Sequence, residues 1–156
     1  MRHSIFRAML RTARGAGAGL VATIPMSAVM FAAQRLGPVD ELDPEIITET
    51  GLEAAGVEAS ETAQNLLSTL AHLGFSAGVG ALYGLLSPHL RRAPLITGPL
   101  YGLAVCGASY QGWIPALGIA PPLSRRGPAR RWMQLLSHAV YGTVLGRLAG
   151  QSSRGR

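Results

Sequence analysis

Two histidines, His72 and His138, are the residues whose type and setting invite chemistry. Each heads a ladder of small residues with an aromatic three positions on. His72, Phe75, Ser76, Gly80 and Gly84 match His138, Tyr141, Gly142, Gly146 and Gly150 at a constant offset of 66. Imidazole exchanges protons near neutral pH and ligates metals readily, so a pair of them beside Ser76 could form a polar site that handles protons or a metal. Met26 and Met30, at i and i+4, could add soft thioether ligands for copper. A bis-histidine haem is a third chemistry open to a helix bundle. Against these stands a structural reading. Neutral imidazoles in apolar helices commonly hydrogen-bond a neighbouring helix, and methionine fills irregular gaps. The expectation is a candidate polar site at His72, His138 and Ser76, with Met26 and Met30 as contributors and no metal or cofactor assigned.

Other reactive constellations are missing. The single Cys106 excludes an internal disulfide and a multi-cysteine metal site. Asp40, Glu41, Asp43 and Glu45 could hold a hard cation, but they lack the spacing of a calcium loop and read as a solvated acidic cap. No nucleophile–base pairing, phosphate loop, zinc-protease helix or dinucleotide fingerprint is present, so no enzymatic activity is expected. The net charge of +6 comes from fourteen arginines and no lysine. These arginines flank apolar runs rather than covering one face, which argues for membrane anchoring and against nucleic acid.

The elements that must position the histidines are hydrophobic helices. Gly15 to Gln34, Thr62 to Leu90 and Ala93 to Ser124 contain no charged residue, and Trp132 to Gly150 contains only Arg147. About 20 apolar residues cross a bilayer core of roughly 30 Å. The expected fold is therefore all-α: a four-transmembrane-helix bundle in one membrane domain over 15–150. Its spans lie at about 15–36, 65–87, 94–115 and 132–150. A basic amphipathic lead-in occupies 1–14, with Ile5, Phe6, Met9 and Leu10 opposite Arg7, Arg11 and Arg14, and a basic tail occupies 151–156. A cleaved signal peptide over 1–33 and a mitochondrial transit peptide are rival readings of the start.

All eight acidic residues fall between Asp40 and Glu61. There, Asp43-Pro44-Glu45 opens a short acidic extramembrane helix, with Asp43 as N-cap and Ile46, Ile47 and Leu52 as its apolar side. It is expected on the outer rim of the bundle. Small residues recur every fourth position. Gly15 and Gly19 in the first span, Gly80 and Gly84 in the second, and Gly142 and Gly146 in the fourth are expected helix-packing positions. They are also the faces through which the chain could self-associate. The matched histidine stripes suggest a parallel duplication of spans one and two in spans three and four.

With the amino terminus inside, nine arginines fall on the inner side and five on the outer, which favours that orientation. Four arginines between Ser124 and Trp132 oppose it. They would be accommodated if the acidic first loop paired with this basic third loop on one face. A re-entrant third segment broken at Pro115 is the alternative. Trp113 and Tyr110 read as an interfacial belt.

Gly19-Leu-Val-Ala-Thr-Ile-Pro-Met-Ser, the histidine ladders, Gly98-Pro-Leu-Tyr-Gly and Ile114-Pro-Ala-Leu-Gly-Ile before Pro121-Pro122 resemble small bacterial inner-membrane proteins of uncharacterised families, the YagU-like group and its relatives. The resemblance covers most of 15–150. It implies a helical protein of the bacterial inner membrane, with no catalytic residues to carry over; the apolar runs themselves make the lipid bilayer the expected partner. One branch is associated with acid stress.

Overall fold

The computed structural model describes residues 2–37, 39, 41–90 and 93–151. The roles expected of Asp40, Arg91, Arg92, Arg154 and Arg156 lie outside these described residues, as does the tail beyond Gln151. Among the described residues all regular structure is helical. The helices are α1 (Arg2–Arg35), α2 (Asp43–Ala54), α3 (Glu61–Leu90), α4 (Pro94–Gly107) and α5 (Pro128–Gln151). From the end of α4 the chain continues through a π-helical turn, Ala108–Trp113, and one further turn, Ile114–Ala116. The all-helical class agrees with expectation. Two helices, α1 from His3 and α3, are long and apolar enough to cross a membrane.

Two local details depart from the sequence reading. The basic lead-in is not a separate element: α1 is a single helix of 34 residues, and Gly15 lies in its interior. At 1.5 Å per residue it is about 51 Å long. The second departure is at the start of α2. Leu42, not Asp43, is the N-cap, and the Glu45 carboxylate accepts the Leu42 N–H at 3.0 Å. With Glu45 satisfying the helix end, the Asp43 carboxylate is free to turn elsewhere.

Packing is set by glycine. α1 and α3 run antiparallel with their backbones in contact, Gly15 and Gly19 against Gly80 and Gly84. A methyl group on Gly15 would lie 2.8 Å from the Gly84 Cα and overlap the Gly80 carbonyl. α4 and α5 repeat the arrangement, Gly98 and Gly102 meeting His138, Gly142 and Gly146. The two hairpins thus share one interface pattern. However, Gly80 corresponds to Gly142 and Ser76 to His138, an offset of 62 in place of 66. A ladder with a period of four matches itself after a shift of one turn, so its sequence alone could not fix the register. The hairpins then dock through α1 and α5. Tyr141 Oη donates to the Ser76 carbonyl at 2.7 Å, and Tyr101 Oη to the Val79 carbonyl at 2.7 Å.

The interior holds many polar side chains beside its apolar ones. Thr23, Ser68, Ser76, Ser87, Ser109, Gln134, Ser137 and His138 are buried. Outside lie Ile24 and Phe31 on α1, Leu66, Leu70, Leu82 and Leu85 on α3, Leu95, Ile96 and Leu100 on α4, and Trp132 and Leu136 on α5. Proteins folded in water expose scattered apolar residues but bury most of their leucines and isoleucines. Here apolar side chains face outward on all four long helices, including the two that fall short on length or composition.

Candidate functional site

Where the glycine contacts end, the helices separate around a cavity of about 230 Å³. The carbonyls of Ser76 and His138 form the last rung of each ladder, against Gly19 and Gly102 respectively. The register of the glycines therefore places these two residues at the cavity edge. His72, His138, Ser76 and Met26 all line it. Met30 does not. It lines an adjoining space of about 340 Å³ that His72 also borders. Of the expected site residues the structure thus brings four together, while Gly15, Gly19, Gly80, Gly84, Gly142 and Gly146 act only as packing positions.

The sequence reading missed the rest of the lining. Phe75, Ser109, Tyr110, Trp113 and Tyr141 supply most of the rings and hydroxyls, and Pro44, Ile47 and Thr48 of α2 cover one side. Tyr110 and Trp113 are wall residues as much as a belt. The signal was Pro115. It has no N–H, and its ring crowds the carbonyl four residues back, at Gln111. The preceding turn widens and kinks at Gly112, whose backbone leaves the helical region (φ −106°, ψ −105°), and the Ile114 N–H reaches the Ser109 carbonyl five residues away. Such wide turns re-aim side chains and recur at functional sites. Here the turn carries Ser109, Tyr110 and Trp113.

The two histidines are held differently. His138 Nδ1 lies 2.8 Å from the Gln134 carbonyl on its own helix. Because a carbonyl can only accept, Nδ1 carries the proton and Nε2 is left as an acceptor. The Tyr110 ring meets this imidazole edge-on, with centroids 5.6 Å apart and planes at 89°. His72 Nε2 is buried without a hydrogen-bond partner. Neither observation matches an imidazole bonded to a neighbouring helix. Among the described residues no group of three or more histidine, cysteine or carboxylate side chains is placed to hold a metal ion.

Beside the cavity, Asp43 is only 1% exposed. Arg126 Nη1 donates to its Oδ1 at 2.5 Å, Arg130 Nη1 to the same oxygen at 3.0 Å, and Gln134 Nε2 to Oδ2. Arg126 Nε also donates to the Pro121 carbonyl at 2.8 Å, and Arg130 Nη2 to the Glu41 carbonyl at 2.8 Å. The Arg126 guanidinium stacks over Tyr110, 5.3 Å from the ring centroid. The expected solvated acidic cap is therefore corrected at Asp43, whose carboxylate is buried in an ionic cluster. The acidic and basic connections lie at one end of the molecule. At the other end Thr97 Oγ1, on α4, donates to the Leu90 carbonyl at 2.7 Å. The segment from Pro94 to Trp113 therefore reaches from the Leu90 end to the level of Phe75 on α3 and, through Tyr110, of His138 on α5.

Residues 38–146, most of the chain, match the family described as Protein of unknown function (DUF1440). The chain belongs to this family. No curated protein and no solved structure matches it. In this DUF1440 chain the matched stretch takes in α2, α3, α4 and most of α5, so it covers every cavity residue except Met26. The family description assigns no activity to the site.

Proposed function

We propose that the protein is a small, non-enzymatic integral membrane protein. In this reading it is a four-span bundle of the bacterial inner membrane with its amino terminus in the cytoplasm and lipid as its principal partner. The observation that carries it is the outward display of leucine, isoleucine and aromatic side chains on all four long helices, over a core that holds serine, threonine, glutamine and histidine beside its apolar residues. In a bilayer apolar burial cannot drive helices together, and close glycine contacts with internal polar bonds take over that role. The motifs shared with YagU-like proteins agree with this setting. So does the ionic cluster: Arg126 and Arg130, two of the five outer arginines, are engaged by Asp43 and the Glu41 carbonyl. Fewer free positive charges then oppose the orientation drawn from the arginine count. The glycine ladders expected to support self-association are used within the chain, so a homo-oligomer would have to form through another face. Alkaline carbonate washing of membranes from expressing cells tests this reading. The protein should stay in the pellet and be released only by detergent; release by carbonate would contradict it.

The convergence of His72, His138, Ser76 and Met26 on one cavity favours a second element of function, ligand binding, over a purely structural bundle. The test is whether a histidine substitution alters ligand retention while leaving the fold intact.

A further inference from the structure

We propose that the cavity receives the flat, uncharged, oxygen-bearing ring of a lipid-soluble molecule, of quinone or phenol type, entering from the bilayer on the side of Phe75 and Trp113. This rests on the membrane reading above. Charge decides the first point. None of the sixteen lining residues is Asp, Glu, Lys or Arg, so a metal ion or a carboxylate would enter without a counter-charge. An isolated charge in apolar surroundings is strongly disfavoured. The ligand is therefore neutral.

Shape decides the second. The chain has only nine Phe, Trp and Tyr residues, and four of them, Phe75, Tyr110, Trp113 and Tyr141, line this one cavity. An alkyl chain gains nothing special from such walls, whereas a planar ring can pair with them face-on or edge-on. At about 30 Å³ per water-sized unit, 230 Å³ holds roughly eight such units. That suits a substituted ring and leaves any long tail outside. The polar anchor is His72 Nε2, buried and unpartnered at the wall. A neutral imidazole nitrogen can donate to a ring carbonyl or accept from a ring hydroxyl. Phe75 and Trp113 are 45% and 38% exposed with ring centroids 6.3 Å apart. Both therefore border the cavity and the apolar outer surface, and their ring contact marks where the cavity comes closest to that surface.

The experiment uses the full chain in nanodiscs with a benzoquinone bearing a decyl tail, which quenches indole fluorescence on contact. Trp132→Phe leaves Trp113 as the reporter, and Trp113→Phe leaves Trp132, 71% exposed, as the control for simple partitioning into lipid. The expected result is saturable quenching of Trp113 at one ring per chain, beside a linear response from Trp132. His72→Leu should weaken it about tenfold, the scale of one lost hydrogen bond, and His72→Gln should recover most of the loss. If His72→Leu fails to fold by circular dichroism, Val105→Trp, which fills the cavity from α4, takes its place in the Trp113→Phe, Trp132→Phe background. Its new indole should then show only linear quenching. Linear quenching of Trp113, or saturable quenching indifferent to these cavity changes, would overturn the proposal. Protein that needs no detergent for extraction would instead overturn the membrane reading, an outcome visible before any quinone is added.

Discussion

The same four long helices behave differently at the two ends of the bundle. Toward the Thr97 end, glycines on facing helices bring backbones into contact and leave no room for a methyl group. Toward the Asp43 end, Tyr110, Tyr141, Phe75 and the two histidines hold the helices apart, and α2 closes over the gap. The difference is one of side-chain size along each helix. Where every fourth residue is glycine, the helices are cemented by backbone contact. Where the stripe changes to serine, histidine and aromatics, a cavity opens, and the cluster of Asp43 with Arg126, Arg130 and Gln134 fastens its rim. One end determines whether the chain folds; the other determines what the fold can hold.

The sharpest way to break this contrast is at the glycine end. Gly102→Leu would drive a side chain into the His138 carbonyl, and because that obstacle is backbone the cost should exceed the ~1–3 kcal/mol of ordinary core overpacking. Thermal unfolding in detergent should show a large loss of the folded fraction. Gly17→Ala, on α1 where nothing lies nearby, should leave stability unchanged or raise it by about 0.5–1 kcal/mol. Almost as large an effect is expected at the rim. Asp43→Ala leaves two arginines without their carboxylate, one of them buried, and breaking a buried pair from one side costs about 3–5 kcal/mol as an upper figure. Because Arg130 is partly exposed, the lower half of that range is expected, read from the same melts. Proteolysis in the 37–60 connection should also increase. The smallest effect belongs to the cavity wall. His72→Leu removes a buried nitrogen that has no partner, so the melting curve should move by less than about 1 kcal/mol even as ring binding falls.

These two ends were also unequally legible in the sequence. Uncharged runs located the four long helices, and the spacing of Gly15, Gly19, Gly80 and Gly84 identified the faces that meet. Histidines in apolar stretches pointed to His72 and His138, which do share a cavity. The pairing of acidic and basic connections was anticipated from charge alone, although the burial of Asp43 was not. That depends on a cap falling one residue earlier, at Leu42, a distinction too small for sequence to resolve. The register was hidden by the period-four ladder itself. The π turn was hidden because Pro115 signals a disturbed helix without saying whether the turn before it widens, kinks or ends. Tyr110 and Trp113, read as an interfacial belt, also wall the cavity, a second role set by the turn that carries them.

The four-span bundle is tested most directly by labelling from outside intact cells. Glu49→Cys on α2 and Arg125→Cys before α5 are both exposed positions, and the native Cys106 is buried. Four crossings with the amino terminus inside require both introduced thiols to react with an impermeant maleimide. Reaction at only one of them, or at neither, would contradict the bundle and its orientation.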